Sequence, residues 1–283
     1  MAFLAYQAVS FESIEDRGQK NGTIGHVESL WRYPVKSMRG QEIAEIFLGF
    51  AGVYGDRLYA FRDATAQKGF PFLAGREQEV MLLYQPRFRH PDRAAGPPNL
   101  AEAESMAPGL TPVYGSAADL VVDVEAPSGQ TLAVDDPTLL TVLSEGLDER
   151  HALSLQRSER AVTDCRPVSV FSLQTLKQLG NEIGLTLDKR CFRANIYATF
   201  EAMSGFAEDA LIGRRLQVGT KAVIAMMDHD PRCKMITLDP DTAEARPEVL
   251  RRVVQAHEGK AGLYGAVLVE GTIRSGDEII LLD

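Results

Sequence analysis

Cys233 lies in the run Asp-His-Asp-Pro-Arg-Cys-Lys-Met-Ile-Thr-Leu-Asp-Pro-Asp-Thr, residues 228–242, with Arg232 before it and Lys234 after it. Neighbouring cations favour the thiolate, the form of cysteine that attacks electrophiles and binds soft metals. Asp-Pro pairs at 230–231 and 239–240 bracket the segment and put Cys233 on or beside a loop. A lone cysteine also serves well as a small buried core residue, and local sequence leaves both readings open. His229 stands four positions before Cys233, so a Cys–His nucleophilic pair is conceivable, although no third member is recognisable.

Three other segments carry groups that could meet an anion. Residues 31–40 pack Arg32, Lys36, Ser37 and Arg39 into a turn punctuated by Pro34 and Gly40. Such a turn offers backbone N–H groups, a lysine point charge and a serine donor to a phosphate, or it is simply a solvated basic loop. In Gly55-Asp56-Arg57 a carboxylate stands beside an arginine at the head of a strand, where it either orients the arginine or forms a plain surface pair. In Arg190-Cys191-Phe192-Arg193-Ala194-Asn195, period-2 alternation would put Arg193 and Asn195 on one strand face, either toward a ligand or toward solvent. There is no phosphate loop, no G-x-G-x-x-G and no G-x-S-x-G elbow.

Composition narrows the setting. The chain has 283 residues, 45% hydrophobic and 24% charged, enough for two modest domains or one large one with a buried core. Its formal net charge of −9 makes nucleic acid or an anionic membrane a poor partner, so an anionic ligand would need a local basic pocket. Three cysteines, Cys165, Cys191 and Cys233, form no C-x-x-C pair and no zinc-spaced array, which favours a reducing, cytoplasmic compartment. No basic n-region opens the chain and no stretch approaches ~18 apolar residues, so neither a signal peptide nor a membrane helix is expected. Residues 1–22 are expected to be a flexible extension.

The elements that must position these residues read mostly as strands. Gly25–Trp31 alternates apolar and polar, Ile43–Phe47 and Arg57–Arg62 follow, and Val80–Tyr84 reads as a buried apolar strand. Prolines punctuate 86–118, a long connection with one helical turn near Ala101–Met106. Leu120–Val124 and Gln130–Val134 form a hairpin about Pro127-Ser128-Gly129. Asp136-Pro137 caps a helix running to Leu147, and Ser172–Leu179 is a second helix ended by Gly180. Phe192–Ala198, Leu216–Val218 and Ala222–Met227 are strands and Glu248–Gln255 a helix. Gly265–Val269 with Glu278–Leu282 closes the chain as a hairpin.

Several short segments, in this order, are shared with one family: Tyr33-Pro34-Val35-Lys36-Ser37, Gly55-Asp56-Arg57, Phe72-Leu73-Ala74-Gly75-Arg76, Phe192–Ile196, Arg232-Cys233 with Leu238–Thr242, and Leu263-Tyr264-Gly265. Together they resemble the MOSC family, named for the C-terminal domain of molybdenum-cofactor sulfurase. The resemblance is to its two-part members, the mitochondrial amidoxime-reducing component among them. It implies a mostly β fold with α: an N-terminal MOSC β-barrel domain over 23–135 and a C-terminal MOSC β-barrel with flanking helices over 136–283. It also implies the molybdenum cofactor (molybdopterin) as ligand. Lys36, Ser37 and Arg57 match residues that hold its phosphate and pterin. Ser172, Arg193, Asn195 and Tyr264 match further cofactor contacts, Arg232 a contact beside the metal, and Cys233 the thiolate ligand of molybdenum.

The implied activity is oxidoreductase, reducing N-hydroxylated or N-oxide-type small molecules. With no flavin motif and no cysteine cluster for iron–sulfur, electrons would come from a separate donor protein of ferredoxin, flavin or cytochrome type. Two alternatives remain: a sulfur carrier or sulfurtransferase with a persulfide on Cys233, and a non-catalytic cofactor-binding protein. Pyridoxal phosphate binding is a further family association. The chain departs from the family pattern at Ala194, where proline is usual, and at Ala243, where glycine is usual. Cys233 is expected to open into a cleft with Lys36, Arg57, Arg193 and Arg232, while Cys165 and Cys191 pack away from it.

Overall fold

The computed structural model describes residues 22–66, 69–105, 113–148, 150–159 and 161–283; the extension expected over 1–22 lies almost wholly outside them. In chain order the first strands are β1 (Thr23–Arg32), β2 (Gln41–Ile43), β3 (Glu45–Gly49), β4 (Gly52–Val53), β5 (Tyr59–Asp63) and β6 (Gln85–Phe88). Helix α1 (Leu100–Ser105), β7 (Val122–Glu125), β8 (Thr131–Ala133), α2 (Pro137–Ser144), β9 (Leu153–Arg157) and β10 (Val168–Ser172) follow. Then come α3 (Leu173–Ile183), β11 (Ile196–Phe200), β12 (Arg215–Val218), β13 (Ala222–Pro231), α4 (Pro247–Ala256), β14 (Lys260–Val269), β15 (Gly271–Arg274) and β16 (Glu278–Leu281).

Seven strands close into a barrel in the order β11-β10-β14-β13-β12-β16-β1, with β1 pairing back onto β11. Only β10 and β11 run parallel; the connection between them carries α3 and crosses over, as a parallel pair requires. Val27, Leu30, Val170, Ile196, Ala198, Ile224, Leu263 and Ile279 fill the barrel. A second core lies among the small sheets β5-β9 and β6-β7-β8, with Phe47 of β3 and Leu139 and Leu143 of α2 packed into it, while Ile46, Leu48, Val53 and Ile273 of the third small sheet, β15-β3-β4, join the barrel core. A third joins α3 and α4 to Phe171, Phe192 and Tyr197.

The mostly β architecture with flanking helices is the one expected, but the strands pair differently from a split at 135/136. β1 closes the barrel of the C-terminal half, and most of 41–157 forms three small sheets rather than a barrel of its own. Alternation along β1 announces a strand but not its barrel partners, β11 and β16: Gly25 pairs with Phe200 and with Ile279, both more than a hundred residues away.

Four local expectations also change. Val80–Leu83 lies in a 3-10 turn, Glu79–Leu83, with Tyr84 its extended cap; a short apolar run does not by itself separate strand from turn. Ile43–Phe47 breaks at Ala44 between β2 and β3. The last hairpin does not form: β14 pairs with β10 and β13, β16 with β1 and β12, and β15 leaves to join β3. Helix α3 passes Gly180 and ends at Gly184, whose φ of 69° is the left-handed end cap. A Cβ at Gly180 would meet Leu185 O at 2.6 Å, so that glycine marks a close chain approach rather than a stop.

Beside α3, Glu208 is fully buried; Thr175 Oγ1 donates to its Oε1, and Oε2 has no partner among the described residues. Burial, with Asp209 adding repulsion, raises its pKa to about 7. Above the unfolded value and below about 7 the folded chain holds a proton the unfolded chain has lost, so stability falls as pH rises through this window. The expected loss is at most on the order of 3 kcal/mol. Urea denaturation between pH 5 and pH 8 should show the decline in the wild type and a flatter profile in Glu208→Gln.

Candidate functional site

Three residues with side chains forced onto left-handed backbone line one cavity: Ser37 (φ 66°), Arg57 (φ 45°) and Arg193 (φ 54°). Each such position costs on the order of 1–2 kcal/mol and persists only where the surroundings impose it. Behind Arg57 lies Asp56, fully buried. The Tyr33 N–H donates to Asp56 Oδ1 at 2.7 Å, and Arg57 Nη1 donates to Oδ2. Arg57 Nη2 then donates to Arg193 O at 3.1 Å. The two guanidiniums share one aromatic ring: Arg57 sits 4.6 Å and Arg193 4.4 Å from the centroid of Tyr33.

Burial dominates the electrostatics. It lowers the Arg193 pKa, and the neighbouring Arg57 charge adds to that. At Arg57 burial acts in the same direction but is outweighed by Asp56 and Tyr33, and the net shift is upward. Tyr33 is pushed up to about 12 by burial, against the pull of both arginines. Lys36 Nζ donates to Asp164 Oδ1 at 2.5 Å and to Val162 O at 3.1 Å. Burial lowers the Lys36 pKa, with Asp164 opposing.

Arg232 enters from the end of β13. Its Nε donates to Ala261 O at 2.6 Å, its Nη1 to Phe192 O at 2.9 Å, and Asp230 Oδ2 is 2.8 Å from Nη1. Burial raises the Asp230 pKa although Arg232 pulls it down, and the pKa of its hydrogen-bond partner Tyr264 is raised by burial and by Asp230. Arg193 Nη2 and Arg232 Nη2 are both buried with no hydrogen-bond partner among the described residues.

Cys233 follows, half-buried, at the cap of the 3-10 turn Lys234–Thr237, and lines the same cavity. Its neighbour Lys234 turns elsewhere, to Glu79 at 2.6 Å and to Arg76 O at 3.2 Å, so only Arg232 of the two flanking cations faces the cavity. His229 pairs with Asp209 at 3.3 Å and does not line the cavity, so the Cys–His pair does not form.

The cavity brings together Lys36, Ser37, Arg57, Arg193, Asn195, Arg232, Cys233 and Tyr264, all the residues singled out in the sequence except Ser172. Ser172 is buried at the N-cap of α3, accepting from Gln174 N at 3.1 Å and Thr175 N at 3.2 Å; its hydroxyl is spent on the helix. Ser169, earlier in β10, lines the cavity in its place. Arg193 and Asn195 do not share a strand face: a 3-10 turn occupies Lys189–Phe192, Arg193 caps it, and β11 begins at Ile196. Asn195 is a clamp between strands. Its Oδ1 accepts from Ser169 N and Oγ, both at 3.2 Å, and its Nδ2 donates to Trp31 O at 3.3 Å.

Cys191 does not pack away: it also lines the cavity. Burial, then Asp188 and Asp239, push its thiol up to about 12, so it stays protonated and unreactive at neutral pH. Cys165 is exposed on the segment whose neighbours Asp164 and Arg166 reach the cavity. Sequence reading missed Asp164, Arg166, Ser169 and Asp230 as wall residues. Arg76 was visible only as the end of the shared Phe72–Arg76 segment.

Of the two departures from the pattern of the resembled family, Ala194 has a local explanation and Ala243 carries strain. Ala194 N donates to Tyr197 Oη at 3.1 Å, a bond proline could not make. Ala243 sits at φ 60°, where glycine carries no Cβ penalty. Ala243→Gly should therefore stabilise the chain by up to about 1 kcal/mol, read as a higher urea midpoint at unchanged slope; an unchanged or lower midpoint would count against strain there.

Residues 157–280 match the model of the MOSC domain. No curated protein matches the chain. Among solved structures it is similar to the YUAD protein of Bacillus subtilis, at 13% identity over 91% of this chain and 94% of that one, with a TM-score of 0.45. It is also similar to YiiM from Geobacillus stearothermophilus, at 20% identity over 42% of this chain and 55% of that one, TM-score 0.33. A further similar structure is YiiM from Escherichia coli, at 15% identity with the same coverages and a TM-score of 0.31.

Proposed function

From the premise that this chain carries a MOSC domain, we propose that the cavity beside Cys233 binds the molybdenum cofactor and that the protein is a reductase of N-hydroxylated or N-oxide-type small molecules. The observation that carries this reading is the pair of buried, unpartnered guanidinium nitrogens, Arg193 Nη2 and Arg232 Nη2, in the wall that also holds Cys233. A buried donor left unpaired costs about 1–3 kcal/mol, more when charged, and an anionic ligand removes that cost. The cofactor's phosphate and dithiolene are anionic, and a half-buried cysteine beside them offers a soft ligand of the kind molybdenum accepts. The residues therefore fit the group.

Lys36, Ser37 and Arg57 would hold the phosphate and pterin, Arg193 and Arg232 would neutralise the anionic face, and Cys233 would ligate the metal. When bound, the cofactor supplies two-electron oxygen-atom transfer. The chain's own part is to hold and orient it. Tyr33 fixes the planes of Arg57 and Arg193 by stacking, and Asp56 fixes Tyr33 and Arg57 from behind. The cavity encloses about 100 Å³, below the ~300 Å³ of ordinary ligand sites. The wall that would give way is Asp164, 58% exposed at its side chain and paired to Lys36. An incoming phosphate would take its place on the lysine. Electrons would come from a separate donor protein. Among the described residues no helix is long and apolar enough to cross a membrane.

Elemental analysis of protein purified from a host that makes the cofactor tests the reading. Stoichiometric molybdenum, with reduction of an amidoxime by a chemical electron donor, is the expected result. Metal-free protein carrying labile sulfane sulfur would instead mark Cys233 as a persulfide carrier. Molybdenum without turnover would leave only the binding role.

A further inference from the structure

A second cavity, of about 510 Å³, is larger than the first and opposite to it in charge. Phe47, Phe50, Tyr54 and Tyr114 line it, and Tyr54 and Tyr114 stack with ring centroids 5.8 Å apart. Two carboxylates, Glu159 and Glu270, complete the wall, and among the described residues no lysine or arginine lines it. Phe50 is 55% exposed, held in place by its backbone: its N–H donates to Glu270 Oε1 at 2.8 Å. That bond ties the turn between β3 and β4 to the residue just before β15. Burial raises the Glu270 pKa, opposed by the Phe50 N–H and by Lys221. Glu159 is 71% exposed at its side chain and stands 3.8 Å from Arg157, a pair that water screens.

We propose that this cavity binds an organic cation with an aromatic body, of the arylalkylammonium class. Ring faces attract cations, and carboxylates beside them supply the formal charge. The apolar walls accommodate the hydrocarbon part, and the volume falls within the usual range for small-molecule sites. An anion of the kind suited to the Cys233 cavity would be repelled here by Glu159 and Glu270. The site shares no wall residue with that cavity and does not depend on the reading given to it.

Isothermal titration of the full chain with 2-phenylethylammonium and its neutral counterpart 2-phenylethanol tests the assignment. The ammonium should bind about tenfold more tightly than the alcohol. Glu270→Gln keeps an oxygen to accept from Phe50 N–H but removes the charge, and should abolish most of that preference. Phe50→Ala should weaken both probes with an unchanged melting temperature, since half of that ring already faces solvent. Equal affinity for the two probes, no binding of the ammonium at millimolar concentration, or binding unaltered in both variants would each overturn the assignment.

Discussion

On the proposed reading, in which Cys233 ligates the metal, Cys233→Ala is expected to lose turnover by more than about a hundredfold, since even the residues behind a metal ligand typically cost 10–100-fold when removed. Its fold should survive. The side chain is small and half-buried and carries no disulfide among the described residues, so the stability change should stay within about 1 kcal/mol. Molybdenum content and amidoxime reduction, measured beside a thermal melt, separate the two effects. Cys233→Ser should retain part of the cofactor through the phosphate and pterin contacts yet fail in turnover, because an alkoxide is a harder ligand than a thiolate. Cys191→Ala is the matched control from the same cavity wall, where the thiol stays protonated, and should keep activity. Full turnover in Cys233→Ala would remove the residue from the chemistry.

Asp56→Ala is expected to cost 3–5 kcal/mol, about the largest loss a single substitution in this chain should produce. The carboxylate is fully buried and answers two donors at once, the Tyr33 N–H and Arg57 Nη1. Its removal leaves Arg57 as an uncompensated buried charge beside Arg193, over the same tyrosine ring. Urea denaturation should show a lower midpoint at similar slope. Adding Arg57→Met to Asp56→Ala should recover much of the loss by removing the orphaned charge. Asp123→Ala, which breaks an exposed pair with Arg89, should move the midpoint far less. If Asp56→Ala and Asp123→Ala proved equally mild, the buried carboxylate would not be what holds the arginines.

Much of the site could be read from the chain because its chemistry is local. The Arg-Cys pair between two Asp-Pro turns, the Lys-Ser turn and the Asp-Arg pair each carry their meaning within a few residues. All of them reach one cavity. The helix starts at Asp136 and Ser172 were equally legible, since a capping side chain acts on backbone two or three residues away. The same local signal explains the misplacement of Ser172. Its hydroxyl serves α3, and the serine that meets the cavity is Ser169, reached only through the pairing of β10 with the segment around Asn195. Arg193 was assigned to a strand by alternation, yet a turn and a left-handed backbone deliver it to Tyr33.

The sequence by itself determined a mostly β chain with capped helices, a cysteine between two cations in a turn and enough cations for an anionic ligand. Periodicity, turn residues and formal charge are properties of neighbours along the chain. Tertiary structure decided the rest. It made β1 the seventh stave of a barrel built otherwise from 168–281, and it set two arginines 136 residues apart in sequence on one ring. It spent Lys234 on Glu79 and Lys36 on Asp164, and left Arg193 and Arg232 each with a buried nitrogen unanswered. Which charges neutralise one another and which stay available depends on distance through space and on exclusion of water, and both arise only when remote segments pack.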